Sequence, residues 1–191
     1  MLTSLPRVKS YAAVTDDRSD VILTTLIAAV SARILTRLRR PALGLTAVKA
    51  ETHDHGGVTD RLQLREYPVA TTAPIDVRID GVALARADFT LEDPAAAFLM
   101  YQPGGVHPQD WPRGRQHIAV DYTFGYADIP EDIREAATTQ VVWQFNRTGH
   151  RGSRLGSRST ESGEGATATY MVDPWAPEVT DALEPYRRRL I

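Results

Sequence analysis

Hydrophobic positions in the first forty residues recur at helical spacing. Leu5, Val8, Tyr11 and Ala12 predict a short helix, stopped by the Thr15-Asp16-Asp17 cluster. Ser19 or Asp20 then offers a side-chain oxygen to the unpaired first-turn amides of a second, longer helix. Within it Leu23, Ile27, Val30, Ile34 and Leu38 advance in steps of three and four, so one face is apolar. Arg33, Arg37, Arg39 and Arg40 crowd its last turns, where positive charge complements the helix dipole, and Pro41 is expected to end it.

From Thr46 to Tyr122 the period shortens to two. Thr46–Thr52 alternates in places and is followed by His53-Asp54-His55-Gly56-Gly57, which reads as a polar turn. Arg61–Arg65 and Ile75–Ile79 alternate as half-buried strands do, and Asp80-Gly81 is a tight-turn dipeptide. Phe89–Leu91, Ala97–Tyr101 and His117–Tyr122 complete a set of short strands, the last two parted by Pro103-Gly104-Gly105 and Trp111-Pro112-Arg113-Gly114. Pro130 then suits the first position of a third helix, with Ile133, Ala137, Val141 and Phe145 as its apolar stripe and Gly149 at its end. Gly152–Thr169, rich in Gly, Ser and Arg, reads as a mobile loop. Tyr170-Met171-Val172 reads as a strand and Glu178–Arg189 as a short closing helix.

The expected fold class is therefore α+β. A helical bundle core of three main helices and a short C-terminal helix carries a small antiparallel β-sheet between the second and third main helices. The 191 residues fit one domain: N-terminal helices at 1–40, the β insertion at 46–122, a core helix at 130–149, an Arg/Gly/Ser loop at 150–169 and a C-terminal arm at 170–191.

Charge sharpens this picture. Lys plus Arg total 22 against 24 Asp plus Glu, a balance that argues against a general nucleic-acid coat. Only Lys9 and Lys49 are lysines, so nearly all the positive charge is arginine, whose planar fork suits carboxylate and phosphate partners. The absence of cysteine excludes disulfides, thiolate catalysis and Cys-based zinc sites. No apolar run reaches membrane-span length and the first residues show no signal-peptide core, so a soluble protein with no membrane partner is expected.

Candidate chemistry is sparse. His53 and His55, two apart on an extended segment, are the best metal pair, but no third ligand accompanies them. There is no nucleophile elbow, and Gly163-Glu164-Gly165 lacks the glycine spacing of a phosphate loop. Glu131-Asp132 suits the first turn of a helix. No catalytic residue, cofactor or metal is expected. Arg147, Arg151, Arg154 and Arg158 keep helical spacing across a glycine-broken stretch and, with Trp175, Tyr186, Arg187, Arg188 and Arg189, are the candidate partner-binding residues.

Three stretches together resemble a known family. The chain opens on Leu5-Pro6-Arg7-Val8-Lys9-Ser10-Tyr11 and continues through an Asp-rich cap to Leu26–Ile34. The run Tyr122-Thr123-Phe124-Gly125-Tyr126, with Ile129-Pro130-Glu131-Asp132-Ile133, closes the strand region. Pro177-Glu178-Val179 and Leu183–Arg188 end the pattern. It resembles the head–tail connector (adaptor, or head-completion) proteins of long-tailed bacteriophages. The resemblance implies a structural virion protein of the neck, assembled in the host cytoplasm as a ring, commonly of twelve copies. Its implied partners are the portal, a stopper or tail-side protein and further copies of itself, with double-stranded DNA passing through the lumen without sequence-specific binding. Two other readings remain: a DNA-binding accessory protein acting through the arginine segments, and a small metal-dependent hydrolase using His53 and His55.

Overall fold

The computed structural model describes residues 1–149, 157–161, 167–171 and 175–188. The fold is α+β, with four α-helices, and the chain divides into two compact units, residues 42–128 and residues 1–41 with 129–191.

In the first unit the strands are β1 (Thr46–His55), β2 (Arg61–Gln63), β3 (Asp76–Ile79), β4 (Val82–Ala83), β5 (Phe89–Asp93), β6 (Phe98–Tyr101) and β7 (Gly114–Phe124). They form two antiparallel sheets where one small sheet was expected: a four-stranded one ordered β1-β7-β3-β4 and a three-stranded one ordered β2-β6-β5. The reason lies in the apolar rows. Ile118, Val120, Tyr122 and Phe124 of β7 all turn inward at period two, and Val77 of β3 joins them. Leu62, Phe89 and Leu99 of the other sheet belong to the same apolar cluster. One row of side chains needs a second layer to be buried, so the strands split into two sheets that share a core. Trp111, fully buried, stacks on Tyr101 with ring centroids 4.9 Å apart.

Two backbone devices shape β7. Between Val48 and Glu51 strand β1 holds one extra residue, and Lys49 and Ala50 together face Asp121. Ala50 takes the left-handed conformation (φ 51°) and its amide donates to Asp121 Oδ1. At the other end of β7, Gly125 has φ 105°, and a Cβ there would overlap the carbonyl of Gly44. The Gly125 amide donates to the Pro68 carbonyl and the Tyr126 amide to the Leu43 carbonyl, so the chain leaves the sheet by a path that only glycine can follow.

In the second unit the helices are α1 (Leu5–Tyr11), α2 (Asp20–Leu38), α3 (Glu131–Gly149) and α4 (Pro177–Leu183). α2 presents the expected stripe, Leu23, Ile27, Val30, Ile34 and Leu38, to the core. It stops before Pro41: Arg39 turns left-handed (φ 57°) and its amide bonds back to the Leu35 and Thr36 carbonyls. Among the described residues α2 is the one helix long and apolar enough to cross a membrane by length and composition, a correction to the reading that no run reaches that length. Its apolar stripe is occupied by the core of this unit. α3 packs against it through Ile133, Ala136, Ala137 and Val141, while Phe145, expected in that stripe, is half-buried.

Polar groups inside this unit are paired. Thr3 and Thr138 share a 2.7 Å hydroxyl contact, the Leu2 amide donates to Ser31 Oγ, and the Ala176 amide donates to the fully buried Gln140 Oε1. Lys9 Nζ lies 2.8 Å from both Asp17 and Asp20, tying the end of α1 to the start of α2. Hydrogen bonds to those two carboxylates hold the Lys9 ammonium above its ordinary value. A third sheet was not expected. Inside the stretch read as a mobile loop, β8 (Ser157–Glu161) and β9 (Thr167–Met171) pair antiparallel, with Arg158 opposite Tyr170. The glycine- and serine-rich composition masked the alternation of Thr167–Met171. The rest of that stretch lies outside the described residues.

Gly125→Ala is expected to destabilise the first unit by about 2 kcal/mol or more, since a side chain there adds backbone strain and a clash with Gly44. Ala50→Gly, which relieves a left-handed alanine, should raise stability by up to about 1 kcal/mol. Denaturant unfolding of the two variants checks both signs.

Candidate docking surfaces

His53 and His55 do not form the polar turn expected of them; both lie on β1. His53 Nε2 sits 2.8 Å from Glu51 Oε1. His55 Nδ1 accepts from the Gly57 amide at 3.1 Å and lies 3.2 Å from the Trp111 carbonyl. Both imidazoles are thus engaged with their own unit, and among the described residues no group of three His, Asp or Glu side chains is placed to hold a metal ion.

Glu51 is the centre of a buried network. Tyr122 Oη donates to its Oε2 (2.7 Å), the Arg65 amide donates to its Oε1 (2.9 Å), and the Glu66 amide donates to Tyr122 Oη (3.1 Å). Burial pushes the Glu51 carboxyl up, but His53, Tyr122 and the Arg65 amide outweigh it and hold the group below the usual carboxylate range. Burial and the Glu51 charge drive the Tyr122 phenol far above its ordinary value, so it stays a donor. Asp121 is held low by the Ala50 amide first, then by Arg78, whose guanidinium donates to Oδ2 at 2.7 Å. These groups fix β1 against β7.

The residues singled out for partner binding fall in different places. Arg147 lies in the last turn of α3 with its guanidinium 4.2 Å above the Trp143 ring. Arg158 lies on β8. Arg151, Arg154 and Arg189 lie outside the described residues. Trp175 is half-buried, with the guanidinium groups of Arg33 and Arg37 at 5.1 and 5.4 Å from its ring centre. Tyr186 donates to Asp132 Oδ2 (2.7 Å), and its carbonyl accepts from Arg40 Nε (2.8 Å). Arg187 is exposed and reaches Glu184 at 3.5 Å, while the Arg188 amide donates to the Leu38 carbonyl. The structure therefore brings Tyr186 and Arg188 to the C-terminal end of α2. Sequence reasoning missed Arg33 and Arg37 as companions of Trp175. Their spacing of four on a helix was legible, but the partner 138 to 142 positions away was not.

Each unit offers one concave surface. In the first, a groove of about 570 Å³ is lined by Ile75, Leu84, Phe89 and Leu91, with Asp76 and Arg86 among its polar side chains. Arg86 closes over one wall, 4.9 Å above the Phe89 ring and donating to the Phe89 carbonyl at 2.7 Å. In the second, α3 and α4 enclose a groove of about 140 Å³, floored by Ala136, Val179 and Ala182 and rimmed by Asp132, Glu135 and Glu178.

Paired elements, grooves and arginine–aromatic stacks of this kind are surfaces for protein contact. The chain belongs to the head completion protein family, whose family model matches residues 1–189. Members of this family are structural virion proteins, not enzymes. No curated protein matches the sequence. Among solved structures the fold is similar to a chain in the neck of a native GTA particle computed with C12 symmetry: TM-score 0.52, 17% identity, covering 98% of this chain and 93% of that one. It is also similar to a chain in the neck of an empty GTA particle computed with C6 symmetry (TM-score 0.51, 20% identity, 93% and 82% covered). A chain in the virion of the native gene transfer agent matches to the same degree (TM-score 0.51, 21% identity, 94% and 82% covered).

Tyr122→Phe removes a donor to Glu51 and the acceptor of the Glu66 amide, and should cost about 1–3 kcal/mol. A carboxyl held low contributes stability that is full above its unfolded value and is lost as pH falls through its folded value. Releasing Glu51 upward in Tyr122→Phe should therefore move the onset of acid unfolding to higher pH, as an acid titration followed by circular dichroism will read.

Proposed function

We propose that this protein is a neck adaptor: a ring of copies beneath a portal vertex that receives a stopper or tail-side protein on its other face. Membership of the head completion family over nearly the whole chain carries this reading, and fold similarity to chains of particle necks supports it. DNA passes through the lumen without sequence-specific recognition, in keeping with the near balance of acidic and basic side chains. The protein works in the virion, between capsid and tail. The helical unit, with α2 and α3 as its principal helices, is the ring-forming body.

A ring is a heterologous assembly, so every copy must present two different, complementary surfaces. Arg147, Arg151, Arg154 and Arg158, together with Arg187–Arg189, dock on carboxylates of the portal, with Trp175 and Tyr186 as aromatic anchors beside them. Isolated subunits are expected to be monomeric until they meet the portal.

Mass measurement of the protein alone and mixed with portal tests the adaptor reading; no association at any salt concentration would sink it. Replacing Arg147, Arg151, Arg154 and Arg158 with Gln should weaken portal association by about tenfold or more and leave DNA affinity unaltered. Loss of a steeply salt-dependent DNA affinity in that variant would instead favour a DNA-binding accessory protein.

A further inference from the structure

Helix α2 has a second face that its own unit does not use. Residues 21–32 contain no charged side chain, and Val21, Thr25, Ala28 and Ala32 form an exposed stripe at steps of four, three and four. That stripe lies on the opposite side of the helix from Leu23, Ile27, Val30 and Ile34. Val21 is 78% exposed and its neighbour Ile22 is 52% exposed. A solvated helix face ordinarily carries charge, whereas depletion of charge with apolar and small side chains marks the centre of a protein interface. Positive charge begins where the stripe ends, at Arg33 and Arg37, and neither forms an ion pair with the described residues.

The α3–α4 groove is the counterpart in shape and sign. Its floor is built from the small side chains of Ala136 and Ala182 beside Val179, so a helix with alanines facing it can approach closely. Its rim is acidic, and Glu135 and Glu178 form no ion pair with the described residues, while Asp132 is held by Tyr186. The stripe points away from α3 of its own copy, so the two surfaces can meet only between copies.

We propose that the outward face of α2 seats in the α3–α4 groove of the adjacent copy, with Arg33 and Arg37 facing Glu135 and Glu178. The inference rests on the ring reading above and names its self-contact. One surface lies on α2 and the other on α3 and α4 of a single body, so each copy both gives and receives. The contact propagates head to tail and closes as a ring where the rotation permits. Small side chains set the helix spacing, and the charged rims set register and direction.

The chain has no cysteine, so introduced thiols report only this contact. Ala28→Cys and Ala182→Cys, made as separate variants of the full chain and assembled together on portal, should form a mixed disulfide dimer under mild oxidation. A chain carrying both substitutions should give a ladder of multiples. Ala28→Cys linking to itself as readily as to Ala182→Cys would overturn the head-to-tail arrangement. Charge exchange gives a second arm. R33E/R37E and E135R/E178R should each weaken assembly by about tenfold or more, and a chain carrying all four should recover it. Thermal melts confirm that each variant is folded, and failure of the fourfold variant to recover while folded would overturn the pairing. Native protein that docks on portal without any of these cross-links removes this interface and leaves the neck reading standing. Native protein that associates neither with portal nor with itself removes both.

Discussion

Burial of a single row of side chains on β7 is the constraint from which the β unit follows. Ile118, Val120, Tyr122 and Phe124 point one way along an eleven-residue strand, and no flat sheet can cover them. β1 and β3 pair on either edge, and the β2-β6-β5 sheet closes over the row. Because Tyr122 enters the core with its hydroxyl, Glu51 and the Glu66 amide must meet it there. The same strand then has to leave the sheet, and Gly125 lets it do so against the carbonyl of Gly44.

A comparable role in the helical unit belongs to α3, which follows β7 after a short link. Its buried side chains meet α2, Thr138 reaches Thr3 before α1, and Gln140 holds the amide that precedes α4. A buried glutamine with a single committed partner fixes the start of α4 more sharply than an apolar contact would, because leaving either group unpaired carries a desolvation cost. With α4 fixed, the acidic groove beside it takes its form, and Tyr186 is brought to Asp132. The functional surfaces are by-products of core pairing.

Much of this was legible before any coordinate. The stripe of α2, the start of α3 at Pro130 and most strands of the 46–122 region follow from local period and turn chemistry. The Tyr122–Ile133 run also carried the family resemblance, and Gly125 and Tyr122 within it prove to be positions of unusual backbone and of buried polar contact. The strands after α3 were not legible, since hydroxyl- and glycine-rich stretches carry weak alternation. His53 and His55 were misread as a turn for the same reason: the Gly56-Gly57 signal outweighed the strand that runs up to it.

The opposite face of α2 shows where sequence ends. Periodicity identifies an apolar stripe, and the chain alone determined that α2 is amphipathic, that β7 alternates and that positive charge is carried almost wholly by arginine. Those properties depend on residues within a few positions of one another. Only the tertiary structure decided that one sheet becomes two, that Trp175 lies beneath Arg33 and Arg37, and that Glu135 and Glu178 share a rim. Each of those joins residues tens of positions apart, and such meetings are selected by competition among whole packings that no local window contains.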